Sequence, residues 1–101
     1  MSMANLQRMA MQMQAGIVKV QEELAAAQVE GTAGGGVVKA VVTGKQEIVS
    51  VTIDPSAVDP ADVEMLQDLI VAAIAEAQRA SREMADARMA AVTGGMRLPG
   101  M

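Results

Sequence analysis

The sequence predicts an α+β chain: a long helix, a small antiparallel three-stranded sheet, then a second long helix. Three observations predict it. Apolar residues recur at alternating steps of three and four over residues 3–28 and again from Val63 onward. Between these stretches the period drops to two, and β-branched residues dominate Val37 to Thr43 and Ile48 to Ile53. Glycine and proline mark the joints, at Gly34-Gly35-Gly36, Pro55, Pro60 and Gly94-Gly95.

The first helix is expected over residues 3–28, with Met3, Leu6, Ala10, Met13, Ile17, Val20, Leu24 and Ala27 on one heptad seam. Gly16 lies beside that seam and costs about 1 kcal/mol relative to Ala. A short strand around Gln28–Thr32 follows. The hairpin comes next, its strands separated by Gly44-Lys45-Gln46-Glu47. Val38, Ala40 and Val42 share one face, and Val49, Val51 and Ile53 are expected to meet the same core. Val37, Val41 and Ile48 then fall on the opposite face, so an apolar second face also asks for a cover.

Asp54-Pro55 ends the sheet. Asp59-Pro60-Ala61-Asp62 reads as a helix start, with Asp59 as N-cap, Pro60 in the first helical position and acids in the first turn. The seam of this helix is Val63, Leu66, Ile70, Ala73, Ala77, Ala80, Met84, Ala87 and Ala91, and Thr93-Gly94-Gly95 stops it. The single domain is therefore residues 1–92, and residues 93–101 are expected to form a flexible C-terminal tail.

Length adds a constraint. A helix from residue 60 to 92 is about 48 Å long. A compact domain of 101 residues has a radius of gyration of about 13 Å. The helix must overhang its own domain. If both helices pack antiparallel, they form a two-helix arm, with residues 1–8 and 88–101 meeting at its far tip. A sheet of three short strands cannot cover itself, so a homodimer is expected.

Composition removes whole classes of chemistry. The chain has 101 residues, is 51% hydrophobic, and contains no Cys, His, Phe, Tyr or Trp. Thiol nucleophiles, imidazole bases, disulfides and ordinary zinc sites are excluded together. No carboxylates are spaced as a calcium loop, and no run of 18 apolar residues suggests a membrane span. No N-terminal secretory pattern is read, so a cytoplasmic location is expected. The ten Met residues suit either the core or an adaptable interface. The Gly34-Gly35-Gly36 run leads into a strand rather than a helix, which rejects a phosphate-cradling nucleotide loop. The expectation is no enzyme, no cofactor, no metal and no small-molecule substrate.

Net charge is −4, but its distribution is uneven. Residues 54–78 carry Asp54, Asp59, Asp62, Glu64, Asp68 and Glu76 and no base. Arg79, Arg82, Arg88 and Arg97 follow, against Glu83 and Asp86. Polyanion contact is therefore expected at the arm. The alternative for these arginines is structural: Arg79 with Glu83 and Arg82 with Asp86 are ordinary i,i+4 pairs.

Several strings, in order along the chain, carry a family resemblance. They are Gln21-Glu22-Glu23-Leu24, Val29-Glu30-Gly31, Ala33-Gly34-Gly35-Gly36-Val37-Val38-Lys39, Gly44-Lys45 and Val51-Thr52-Ile53-Asp54-Pro55. Glu64-Met65-Leu66-Gln67-Asp68-Leu69-Ile70-Val71-Ala72-Ala73, Thr93-Gly94-Gly95-Met96 and Leu98-Pro99-Gly100 complete the set. Together they resemble the YbaB/EbfC family of bacterial nucleoid-associated proteins. The resemblance implies a tweezer-like or intertwined homodimer whose helical arms engage double-stranded DNA with weak sequence preference. It implies a nucleoid location and roles in nucleoid organisation, gene expression or repair. Arg8, Lys19, Arg79, Arg82 and Arg88 are the expected DNA-contacting residues. The first helix is less basic than is usual in that family, reading Met11-Gln12-Met13-Gln14-Ala15-Gly16, and Ala75-Glu76 stands where an Asn-Asp pair is usual. This neutral helix keeps a second reading open: a dimeric protein-interaction scaffold that does not bind DNA.

Overall fold

The alternation of Val38, Ala40 and Val42 builds the centre of the molecule. In the computed structural model, which describes residues 2–94, all three are fully buried. They pack against Ala73 and Ala77 of the second helix, with Val29, Ile53, Leu66, Leu69, Ile70 and Ile74 around them. The elements are α1 (Met3–Ala26), β1 (Gln28–Ala33), β2 (Val38–Thr43), β3 (Ile48–Ile53) and α2 (Val63–Thr93). The strands form one antiparallel sheet in the order β1-β2-β3. Short 3-10 turns at Gly34–Gly36 and Pro55–Ala57 join the parts.

Small residues set how closely α2 approaches the sheet. Gly31 pairs with Ala40 across the strands. A Cβ on Gly31 would stand 2.3 Å from Ala77 N and 2.4 Å from Ala73 O. The backbone of β1 thus touches the backbone of α2, a contact that only glycine opposite two alanines permits.

The second half of α2 leaves the sheet and pairs with α1. Val20, Leu24 and Met89 form a second core, flanked by Ile17, Met84, Ala85 and Val92. The molecule is consequently elongated, 70 × 20 × 18 Å, with a radius of gyration of 19.0 Å. The α+β class, the element order and the overhanging helix are as the sequence predicts.

Four expectations need correction. First, α2 begins at Val63 rather than Pro60. Asp59 Oδ1 accepts from Ala61 N at 2.9 Å, closing a turn, and Asp62 becomes the N-cap by accepting from Met65 N at 3.2 Å. Second, β3 does not carry Val49 into the core. Val41 pairs with Ser50 but Val42 pairs with Ile48, so one residue of β2 faces two of β3. Val49 is the extra residue of this bulge, and Ile48 takes the core-side position beyond it. That side of β3 is poorly covered, with Ile48 53% and Val51 37% exposed.

Third, the buried stripe of α2 is not a strict heptad. Ala73, Ala77, Ser81, Met89 and Thr93 are buried, while Ala87 and Ala91 are exposed. These spacings are multiples of four, and each four-residue step turns the face by about 40°. The drift follows from the change of partner, from the sheet to α1. Fourth, the arm's register differs from the expected tip. A Cβ on Gly16 would meet Val92 Cγ1 at 2.9 Å, so the end of α2 lies beside Gly16. Arg8 is therefore about two turns beyond the described end of α2 and does not meet Arg88. The expected tail from Gly95 onward lies outside the described residues, as does Arg97.

Candidate nucleic-acid interface

The root of the arm is fixed by backbone contacts. The β2–β3 turn runs through Gly44, Lys45 and Gln46, the last with φ +71°. Gly44 N donates to Leu24 O at 2.8 Å, and a Cβ there would come within 2.6 Å of that oxygen. On the other side, the hydroxyl of fully buried Ser81 donates to Thr43 O at 2.8 Å and lies 2.7 Å from the side-chain amide of Gln46. The turn is thus clasped between the C-terminal end of α1 and the middle of α2.

The five sequence-predicted cations separate into two groups. Arg79 is engaged along its own helix. Its guanidinium donates to both Glu76 oxygens and, through Nη1, to Glu83 Oε1 at 2.7 Å. The hydrogen bonds to Glu76 and then Glu83 raise the Arg79 pKa above its ordinary value, and the Arg79 hydrogen bond lowers that of Glu76. Arg88 reaches across the arm to Glu23 of α1 at 3.8 Å. The anticipated Arg79–Glu83 pair is present, and Glu76 is a second partner that its i,i+3 spacing already offered.

Arg8, Lys19 and Arg82 are exposed, and none has a carboxylate within 4.0 Å among the described residues. The anticipated Arg82–Asp86 pair is absent from the ion pairs of the described residues. Arg8 and Lys19 are eleven residues apart, three helical turns, so they point the same way about 16 Å from each other. Their stripe lies opposite the Val20–Leu24 seam and so faces away from α2.

One cation escaped the sequence reading. Lys45 is exposed at the clasped turn, next to Gly44 on the α1 side and Gln46 on the α2 side. Its signal was a lysine in a short glycine-containing hairpin turn, where a charged side chain must reach water. Lys39, by contrast, sits 3.9 Å from Glu30 on the outer face of the sheet.

The arrangement offers point charges and no reactive group. Among the described residues, no three Asp or Glu side chains converge to hold a metal ion. No described helix is long and apolar enough to cross a membrane.

The chain matches the YbaB/EbfC DNA-binding family over residues 1–96. It is 54% identical over 103 residues to the nucleoid-associated protein of Moorella thermoacetica, covering 99% of each chain. The nucleoid-associated protein of Chloroflexus aurantiacus is 52% identical over 97 residues, covering 96% of this chain and 97% of the relative. That of Desulforamulus reducens is also 52% identical, over 100 residues. Among solved structures, an uncharacterized protein from Helicobacter pylori superposes with a TM-score of 0.72 at 23% identity, covering 86% of this chain and 91% of its own. At that identity the likeness speaks for the fold alone.

Proposed function

Because the chain belongs to the YbaB/EbfC DNA-binding family, we propose that it binds double-stranded DNA as a homodimer, without catalysis, and coats the nucleoid with weak sequence preference. The observation that carries this reading is the Arg8–Lys19 stripe. Two cations with no carboxylate within 4.0 Å among the described residues share the outward face of a projecting helix, about 16 Å apart. Measured along a duplex axis, that span is about five base-pair rises. Phosphate contacts set position without reading bases, which is why the preference is weak. The acids between Asp54 and Glu76 repel a polyanion from the body and favour approach along the arm.

The homodimer is supported by the uncovered side of β3. Ala40 pairs with Val51 and Val42 with Ile48, so both β3 residues point to the side on which α2 lies. The chain's own α2 packs over β1 and β2 instead. Val63 and Val71 of α2 are 51% and 67% exposed. A second copy related by a two-fold axis would place its helix over this ledge and duplicate the arm.

A gel-shift titration tests DNA binding: retardation at low salt that fades as salt rises is expected, and no retardation at low salt refutes it. Light scattering tests the assembly, with a mass twice the 10.4 kDa chain expected. Val51→Glu should convert it to monomer. The second reading, a protein-interaction scaffold, draws on the exposed apolar side chains of the arm, Met3, Leu6, Met9 and Met11. Stable capture of one protein partner from nuclease-treated lysate, with no gel shift, would favour it.

A further inference from the structure

The apolar seam of α1 extends beyond its cover. Ile17, Val20 and Leu24 pack against Met84, Ala85, Met89 and Val92 of α2. The same stripe continues toward the N-terminus as Met3, Leu6, Ala10 and Met13, still stepping by three and four. Past the Gly16–Val92 contact, the described residues leave it open, with Met3 72% and Leu6 49% exposed.

We propose that this half-seam is a contact surface for the same half-seam of a second copy, overlapping tip to tip and antiparallel. The first argument is continuity. The stripe is the direct extension of the interface that already packs α1 on α2, on a helix that is already formed, so no ordering of backbone is required.

The second argument is self-complementarity. An antiparallel overlap centred on residue 8 places adaptable Met3 opposite Met13 and large Leu6 opposite small Ala10, and its two-fold axis repeats both pairs. The third is charge. Arg8 is the only charged side chain between Met3 and Ala15, and it lies about half a turn around from the seam. Two copies therefore meet without like charges opposed, and both Arg8–Lys19 stripes stay on the outside. DNA contact and tip contact do not compete for the same face.

An overlap of three turns is weak by itself. It gains force when chains stand side by side on one duplex, where local concentration replaces free diffusion. This consequence rests on the DNA reading; the surface does not. Tip contacts would join neighbouring dimers, so the coat would assemble cooperatively.

Sedimentation velocity on the full chain without DNA tests the contact. From about 10 μM to about 1 mM, species larger than the ground-state assembly should grow in. Leu6→Glu with Met3→Glu should abolish them and leave the ground state and the helical signal unchanged, because both positions are exposed and lie beyond the packed part of the arm. Register is tested by mixing Leu6→Glu chains with Ala10→Lys chains. Opposed Glu and Lys should restore larger species that neither variant forms alone.

A constant mass throughout the concentration range overturns the proposal. So does a mixture no more associated than its parts. If the double variant instead keeps its self-association and loses DNA affinity, the occupant of the seam is DNA and the tip contact is wrong. If the double variant reduces the wild-type assembly to monomer, the homodimer forms through the tips, and the reading of the β3 ledge fails while the contact stands.

Discussion

Arg79 and Arg82 look equivalent in sequence, but their surroundings give them different expected effects on DNA binding. Arg79 is held by Glu76 and Glu83, whereas Arg82 has no carboxylate within 4.0 Å among the described residues. Among the described residues four cations are similarly without a carboxylate within 4.0 Å: Arg8, Lys19, Lys45 and Arg82. A dimer would offer eight, and each phosphate neutralised contributes about 0.9 to the slope of log affinity against log salt. The limiting slope is therefore about −7, a loss of about four orders of magnitude in affinity between about 50 and 200 mM salt. Arg82→Ala removes two of the eight contacts and should make the slope shallower by about 1.8.

Arg79→Ala should leave the slope nearly unchanged. It lowers affinity uniformly instead, by exposing the carboxylates of Glu76 and Glu83 to the duplex. Fluorescence anisotropy of a labelled duplex of arbitrary sequence, titrated at four or more salt concentrations, reads both quantities. A slope reduced as much by Arg79→Ala as by Arg82→Ala would refute the reasoning, because the ion pairs would then have yielded to phosphate.

Three further outcomes are expected. Gly31→Ala should destabilise by more than about 3 kcal/mol in urea unfolding, beyond the usual range for overpacking, because its Cβ meets backbone rather than movable side chains. Gly35→Ala, at φ +75° with nothing within 4 Å, should cost only about 1–2 kcal/mol, and equal costs would contradict the close-contact account. Ser81→Ala removes one of the two donors to Thr43 O, the other being Gln46 N, together with the hydroxyl beside the Gln46 amide, and should cost about 0.5–1.5 kcal/mol. A neutral Ser81→Ala would mean that the clasp does not hold the turn. The third concerns acid: Glu76 has a lowered pKa in the folded state, first through its hydrogen bond to Arg79 and then through that charge. Its contribution to stability is fully present above the unfolded value of about 4.3 and is lost as pH falls through the lowered folded value. Carboxyl NMR should find the Glu76 midpoint below that value and rising in Arg79→Ala; an unmoved midpoint would remove Arg79 as the cause.

The fold was legible where periodicity and local chemistry decide it. The period of two put Val38, Ala40 and Val42 on one buried face, and the period of three to four set both helices. It was less legible where two elements compete for one residue. Asp59 and Asp62 are both good caps, and the turn closed by Asp59 selects the later one. The bulge at Val49 leaves no mark in the run Ile48-Val49-Ser50-Val51-Thr52-Ile53, which has no glycine or proline. For the candidate site, exposure of Arg8, Lys19 and Arg82 followed from their place outside the seams. The Arg88–Glu23 approach joins residues far apart in the chain and depends on the arm's register, which no local pattern encodes. Lys45 stands outside both helices, at the turn that joins them to the sheet, where no helical charge pattern marks it.

No glycine or proline interrupts α2 between Val63 and Thr93, although this one rod serves both the sheet and the arm. It behaves as a cantilever clamped at Gly31. A load applied to its free end cannot be absorbed at a hinge, since bending would break backbone hydrogen bonds, and so it is delivered to the strands as torque. The compliant point lies on the other rod, at Gly16, just where α1 passes the last turn of its neighbour. In the proposed dimer, two such cantilevers would keep their spacing at the mountings, and any bending toward a curved surface would fall to the outer end of α1.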